Sequence, residues 1–303
     1  MDVFRLGTRG SPLALTQAAM VRDALCVAHG WPHERIETVV IRTTGDRVQD
    51  RALAEIGGKA LWTKELDRAL LAGEVDACVH SMKDVETVRP ASIAIAAMLP
   101  RADVRDRLIG APSIAALSHG AVVGTSSPRR RAQLLRLRPD LRIVLFRGNV
   151  DTRLAKLAAQ EADATLLAAA GLDRLGRGDV GVAIGLDVML PAPAQGAVGV
   201  EVRSDDASAR RIVGAMSDAN TFRCVGIERS LLAALHADCH SPVAALACME
   251  DGRLILKAEL LDEDGGAHVT GEVGGADDSD LGARLAADLL ARAPASIRAL
   301  FAR

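Results

Sequence analysis

The sequence predicts two similar doubly wound α/β lobes followed by a C-terminal α+β domain with a three-stranded antiparallel sheet. Three observations predict it. Apolar or β-branched runs alternate with helical patterns through most of the 303 residues, as in parallel sheets covered by helices. The same local signals occur twice, Ser-Pro at a strand-to-helix turn (Ser11-Pro12, Ser127-Pro128) and a Glu-x-Asp-Ala lead into a strand (Glu74–Ala77, Glu161–Ala164). After Asn220 the alternation gives way to one helix and three strand-like runs joined by short glycine turns.

The elements follow in order. Val3 to Thr8 reads as a strand. Ser11 is an N-cap and Pro12 a first-turn residue for a helix that carries Leu15, Ala18, Ala19 and Leu25 and ends at His29-Gly30. Thr38 to Arg42 reads as a second strand. Gly57-Gly58-Lys59 is a turn before a helix that carries Leu61, Trp62, Leu66, Ala69 and Leu70 and stops at Gly73. Val75 to His80 is a third strand, with Ser81-Met82-Lys83-Asp84 as the loop after it. In the second lobe Ala121 to Gly124 and Leu141 to Phe146 are strands, and Ser127-Pro128 opens a helix. Pro191-Ala192-Pro193 reads as a linker, and Gln195 to Val202 as a strand returning to the first lobe. The last part has a helix with Phe222, Val225, Leu231, Leu232 and Leu235. Strands at Val243–Met249, Leu254–Leu261 and His268–Val273 follow, then a final helix over Asp280 to Ala291.

Composition narrows the function. Hydrophobic residues make up 49% and charged residues 25%, an ordinary globular balance rather than a disordered one. The longest uncharged run, Leu108 to Pro128, is broken by Gly110, Pro112, Gly120 and Gly124, so no membrane span is expected. No basic-then-apolar leader follows Met1, which points to a cytoplasmic protein. Aromatics are 2% and Tyr is absent, a poor supply for stacking on bases. The five cysteines form no C-x-x-C pair. Cys26, Cys78, Cys224 and Cys248 fall in predicted helices or strands and read as buried, inert thiols.

Charge is uneven. Residues 101–153 hold eleven arginines and four aspartates, a net of +7, which leaves −9 for the rest of a chain whose total is −2. Arginine forks onto carboxylate or phosphate. Arg129 and Arg130 lie in the first turn of a predicted helix, where positive charge opposes the helix dipole and an anion would relieve the conflict; the alternative is a solvated surface pair. The G-x-x-x-x-G-K-[ST] phosphate loop is missing, and hydroxyls, helix termini and arginines suit carboxylates as well as phosphates. Asp84 beyond a strand end can orient an N–H donor or stabilise a cation; the alternative is a cap or a surface acid. Cys239, in a loop between helix and strand, can be a nucleophile or a covalent anchor. His236, Cys239 and His240 are too crowded for a tetrahedral metal set, so no metal is expected.

Six ordered motifs span nearly the whole chain: Thr8–Leu15, Val79–Val85, Val123–Ser127 with Arg129-Arg130, Arg147–Val150 with Thr152-Arg153, Ala170–Leu172 with Arg174–Gly176, and Gln195–Gly199. Together they resemble the hydroxymethylbilane synthase family, also called porphobilinogen deaminases. The resemblance implies transferase activity in tetrapyrrole (heme) biosynthesis. Four porphobilinogen molecules are joined head to tail with loss of ammonia, and the product is hydrolysed to hydroxymethylbilane. The work is done on a dipyrromethane cofactor held through a cysteine thioether. The cysteine maps to Cys239 and the catalytic carboxylate to Asp84, which would hold pyrrole N–H groups and stabilise an azafulvene-like cation. Arg9, Ser11, Arg147, Arg153, Arg174 and Gln195 map to the substrate side. Ser81, Lys83, Thr125, Ser126, Ser127, Arg129 and Arg130 map to the cofactor side, and Lys59 to a loop over the active site. Periplasmic-binding-protein-like lobes are implied, over 1–97 with 195–216 and over 101–191, with the cysteine domain over 220–303. The partners expected are porphobilinogen and the growing oligopyrrole, with no nucleic acid and no membrane, for a monomer. The chain departs from the family pattern at Glu55, Trp62, Ala194 and Asp238; Ala194 stands where glycine is usual, and Asp238 sets an acid beside the attachment cysteine. A solute-binding protein and a nucleic-acid binder are the rival readings; the first leaves Cys239 without a role, and the second predicts a steep loss of affinity with salt.

Overall fold

The structure, a computed structural model, describes residues 3–42, 63–275 and 280–302. The chain divides into two compact units: Met1–Ala102 with Gly196–Phe222, and Asp103–Gln195 with Arg223–Arg303.

The first unit is built on a five-stranded sheet. Its strands are β1 (Phe4–Arg9), β2 (Ile36–Ile41), β3 (Ala77–Ser81), β4 (Ile93–Met98) and, far later in the chain, β10 (Val198–Arg203). They lie in the order β2-β1-β3-β10-β4, with β1, β2 and β3 parallel and β10 antiparallel to both its neighbours. Helix α1 (Pro12–His29) and α6 (Ala207–Gly214) cover one face through Ala18, Val21, Leu25, Ala209 and Val213; α2 (Lys64–Leu71) covers the other through Leu66, Ala69 and Leu70. Burial from both sides leaves β10 buried from Val198 to Val202 although its sequence alternates, so that Glu201 is buried along with the valines. Strand β2 begins two residues earlier than the β-branched run predicts, because Ile36 is drawn into register with Phe4. Strand β4, which the sequence reading did not pick out, is held by its pairing with β10.

The second unit carries two sheets. The first contains β5 (Asp106–Ile109), β6 (Val122–Gly124), β7 (Arg142–Val144), β8 (Ala164–Ala168) and β9 (Val182–Ala183), in the order β7-β6-β8-β5-β9. Again the first three are parallel, and β5 is antiparallel to both its neighbours. This is the winding of the first unit's sheet, strand for strand. Helices α3 (Pro128–Leu137), α4 (Val150–Ala158) and α5 (Ala169–Arg174) follow β6, β7 and β8. Both sequence echoes are structural equivalences. Ser11 caps α1 and Ser127 caps α3, each accepting from the amide three residues on. Asp76 and Asp163 each bracket the middle one of the three parallel strands of their sheet, β1 and β6. Asp76 accepts from Arg5 N at 2.7 Å and returns its own N–H to Arg5 O, and Asp163 does the same with Val122, also at 2.7 Å.

The other sheet is the antiparallel meander β11 (Val243–Glu250), β12 (Arg253–Leu261) and β13 (His268–Gly275). It packs with α7 (Ala219–Ala234), α8 (Leu281–Arg292) and α9 (Ala295–Phe301) around Ile227, Leu231, Leu256, Leu260, Leu285 and Phe301. The predicted final helix is α8; a further helix, α9, follows it after Pro294, which lacks the N–H that would continue the first. Phe222, expected on the buried face of α7, is 38% exposed; the buried stripe starts at Cys224.

Candidate active site

In open parallel sheets ligands bind beyond the carboxyl ends of the strands. In the first unit those ends are Arg9 on β1 and Ser81 on β3. The predicted loop after β3 is a short 3-10 turn, Met82–Asp84, pinned by Met82 N donating to Ala197 O and by Val85 N donating to Met82 O. Met82 is buried, so the turn leaves Lys83 and Asp84 half-buried at its edge. Arg9, Ser11, Gln17, Thr63, His80, Ser81 and Asp84 line one cleft. Gln17 Nε2 donates to Ser81 Oγ at 2.7 Å, which fixes the hydroxyl. The Asp84 carboxylate has no hydrogen-bond or ion-pair partner among the described residues, so it stands as the open acceptor of the cleft.

A buried ionic network backs this cleft. Glu201 on β10 receives Arg89 on both oxygens, at 2.8 and 2.9 Å, and His80 Nε2 lies 3.2 Å from its Oε2. Arg89 also reaches Asp67 at 2.5 Å and Glu86 at 2.6 Å, and Thr63 donates to Glu86 at 2.7 Å. Thus Thr63 and His80, both in the cleft wall, are the two ends of one polar chain. Burial alone would raise the Glu201 carboxyl; its contacts with His80 and Arg89 outweigh that and bring it down to about 2. In Asp67 burial wins over Arg89, and the carboxyl is raised.

In the second unit the corresponding loops follow β6, β7 and β8. Thr125 is buried and its hydroxyl accepts from Ser127 N at 3.2 Å; Ser126 and Ser127 are half-buried at the start of α3. Arg129 and Arg130 are 3% and 5% exposed. The anion they meet is the chain's own Asp106, first residue of β5. Its Oδ2 takes Arg129 Nη2 at 2.8 Å, and its Oδ1 takes Arg130 Nη2 at 2.7 Å. Gln195 Nε2 adds a third donor at 2.9 Å. Burial alone would raise the Asp106 carboxyl; the charges and hydrogen bonds of the two arginines hold it far below the usual carboxylate range. The dipole conflict read from the sequence is therefore relieved internally. Asp106 itself was missed, since nothing in local spacing ties it to a pair 23 positions away.

Arg147 is the opposite case. It follows β7, is 8% exposed, and its buried Nη1 has no hydrogen-bond partner among the described residues. Gly148, at φ +108, then turns the chain so that Asn149 can cap α4 by accepting from Thr152 N at 2.9 Å. Arg153 in the first turn of α4 reaches back to Gly148 O at 3.0 Å and Ser126 Oγ at 3.4 Å. Arg174 ends α5 half-buried, and burial lowers its guanidinium against the opposing charge of Asp173.

Cys239 is exposed, on the turn between α7 and β11. His236 (φ +52) ends the helix in the left-handed region. Asp238 turns inward on its own loop: its carboxylate accepts from His240 N at 2.9 Å and its N–H donates to Ser241 Oγ at 3.1 Å. Of the other cysteines, Cys26, Cys78 and Cys224 are buried as expected. Cys248 is only half-buried, with its thiol pushed up to about 11, first by burial and then by Glu250. Lys59, Glu55 and Trp62 lie outside the described residues.

Fold and site together define a class: a chain of two like-wound α/β sheets and an antiparallel α+β part, with strand-end loops rich in arginine and suited to carboxylates. Comparison with known proteins makes it particular. The family described as "Porphobilinogen deaminase, dipyromethane cofactor binding domain" matches residues 4–211, and "Porphobilinogen deaminase, C-terminal domain" matches 222–291. The porphobilinogen deaminase of Sphingopyxis alaskensis is 58% identical over 99% of this chain and 96% of that protein; that of Paracoccus denitrificans is 51% identical over 96% and 95%. The chain also shares a distant likeness with some solved structures. The periplasmic VFT2 domain of BvgS from Bordetella pertussis is 15% identical, covering 71% of this chain and 86% of that chain, with a TM-score of 0.40. A periplasmic His/Glu/Gln/Arg/opine family-binding protein from Silicibacter pomeroyi is 16% identical, covering 71% and 88%, with a TM-score of 0.38. The chain belongs to the porphobilinogen deaminase family. It is a transferase of tetrapyrrole biosynthesis, and the dipyrromethane cofactor is part of its chemistry. Among the described residues no helix is long and apolar enough to cross a membrane.

Proposed function

We propose that in this chain Asp84 is the catalytic carboxylate and Cys239 the tether in the hydroxymethylbilane synthase reaction, the head-to-tail joining of four porphobilinogen molecules with loss of ammonia and final hydrolysis. The observation that carries the reading is the Asp84 carboxylate, without a partner among the described residues and held at the edge of a cleft by a turn pinned at Met82.

When bound, the dipyrromethane would supply the pyrrole carbon to which the next unit is added. The residues present suit such a group: an exposed thiol at 239, hydroxyls and helix N–H groups at 125–127, and a buried guanidinium nitrogen of Arg147 with no partner among the described residues. Asp84 accepts pyrrole N–H groups and its negative charge stabilises the cation left on the substrate when ammonia departs. Arg9, Arg147, Arg153 and Arg174 take acetate and propionate carboxylates, with Ser11 and Gln195 as neutral donors beside them. Each such charge-assisted hydrogen bond contributes about 1.5–3 kcal/mol, so several can hold a growing chain without any one locking it in place. Ser81, Lys83, Thr125, Ser126, Ser127, Arg129 and Arg130 serve the cofactor side. Lys59 belongs to the same reading as an active-site residue.

The second unit is read as two domains, 101–191 and 220–303, beside a first domain of 1–97 with 195–216. The separate apolar cores around Leu134 and Leu166 and around Leu231 and Leu256 support that division. The working enzyme is read as a cytoplasmic monomer, which sedimentation at assay concentration tests. The decisive variant is Asp84→Asn. It keeps its fold by circular dichroism and loses turnover by about 10²–10⁴-fold; near-normal turnover would overturn the assignment.

A further inference from the structure

We propose that Asp106 is a positioning residue for this reaction: one buried carboxylate gathers Arg129, Arg130 and Gln195 and leaves the cluster a single net positive charge. The proposal deepens the reading that these side chains serve the bound pyrrole chain, and rests on it.

Arg129 and Arg130 are neighbours on α3, and successive side chains on a helix point about 100° apart. Left alone they diverge. Asp106 brings them back by offering a different oxygen to each, at 2.8 and 2.7 Å, while Gln195 shares Oδ1 at 2.9 Å. Backbone carbonyls complete the grip: Leu190 O accepts from Arg129 Nη1, Leu166 O from Arg130 Nη1 and Val104 O from Gln195 Nε2. All four side chains are buried, so none can reorient into water. Arg129 Nη1 also donates to Gln133 Oε1 at 2.9 Å, and Gln133 Nε2 donates to Glu259 on β12 at 2.8 Å. The charge of Glu259 is met by Arg136 at 3.1 Å, so it does not cancel the cluster's surplus. Two arginines and one aspartate leave one positive charge, which matches one ligand carboxylate. An asparagine at 106 has one acceptor oxygen and sets an NH₂ against a guanidinium; a glutamate keeps the charge but displaces it by one methylene.

The test compares holoenzymes carrying Asp106→Glu and Asp106→Asn with the wild type. It reads kcat and KM for porphobilinogen well below each melting temperature, and the dipyrromethane load per chain by intact mass. Asp106→Glu is expected to fold, to lose kcat tenfold or more with KM within threefold, and to carry less than one dipyrromethane per chain. The split arises because the cluster serves the bound chain, not the incoming molecule. Wild-type kcat and full loading in Asp106→Glu overturn the proposal, whether or not Asp106→Asn folds. A rise in KM that matches the loss of kcat/KM, with kcat unchanged, overturns it as well. A bare wild-type chain after incubation with porphobilinogen overturns the underlying reading and this proposal together, and the wild-type control tells that failure from the first two.

Discussion

Arg130 donates to Asp106 at 2.7 Å with both side chains buried, whereas Arg147, one strand further on in the same sheet, has a buried guanidinium nitrogen and no partner among the described residues. The same residue type thus has both Nη atoms paired on helix α3, where only its Nε lacks a partner among the described residues, and has no pairing among them at all beyond the next strand. A matched buried pair organises the fold around itself. An unmatched buried donor costs about 1–3 kcal/mol, and that cost persists where a ligand recovers it.

Arg147→Met tests that contrast. The variant keeps the stem and removes the orphaned donor, so its melting temperature stays level or rises. Its kcat/KM for porphobilinogen falls by about 10–100-fold, the loss of about 1.5–3 kcal/mol of charge-assisted bonding. A lower melting temperature with unchanged kcat/KM would make Arg147 a structural residue.

Acid sensitivity follows from Glu201 and Asp106. Both carboxyls are depressed in the fold, Glu201 to about 2. A depressed carboxyl contributes stability that is fully present above its unfolded value, about 4, and is lost as pH falls through the folded one. Asp67, raised by burial, opposes this in part. Denaturant unfolding is therefore expected to give constant stability from pH 7 to 5 and a decline below pH 4. Glu201→Gln removes a partner from a buried pair, costs about 3–5 kcal/mol at pH 7, and flattens the decline. An unchanged acid slope in that variant would show that Glu201 is not its source.

Ala194 sits at φ +61 and is buried, with its N–H donating to Glu228 Oε2 at 2.5 Å. An L-residue is strained there and glycine is not. Ala194→Gly is expected to stabilise the protein by about 0.5–1 kcal/mol in denaturant unfolding, because relief of strain exceeds the added chain entropy. Destabilisation would mean that the methyl group's packing outweighs the strain.

Legibility in the sequence tracked range. Ser11 and Ser127 were readable as caps because a cap acts three residues away. The Glu-x-Asp-Ala echo was readable as a repeat, although what it does, the bracket of Asp76 on Arg5 and of Asp163 on Val122, appears only once the strands pair. The strand-end loops with Arg9, Asp84 and Arg147 were readable because α/β alternation fixes which loops lie at the ligand end. Asp106 and the Glu201–Arg89–Asp67 network were not. Their partners lie 23, 24, 112 and 22 residues away, and neither period nor motif links such positions. Strand β5 escaped for a related reason: it begins Asp-Arg, and its first residue is buried by ion pairing rather than by hydrophobicity.

The central claim is that the cofactor grows from one sulfur. Intact-mass measurement of the purified chain, after incubation with porphobilinogen, tests it most directly. The account predicts an excess equal to one dipyrromethane, mapped by peptide analysis to Cys239 and absent from Cys239→Ser. A mass equal to the bare sequence, or the adduct on any other cysteine, would contradict it.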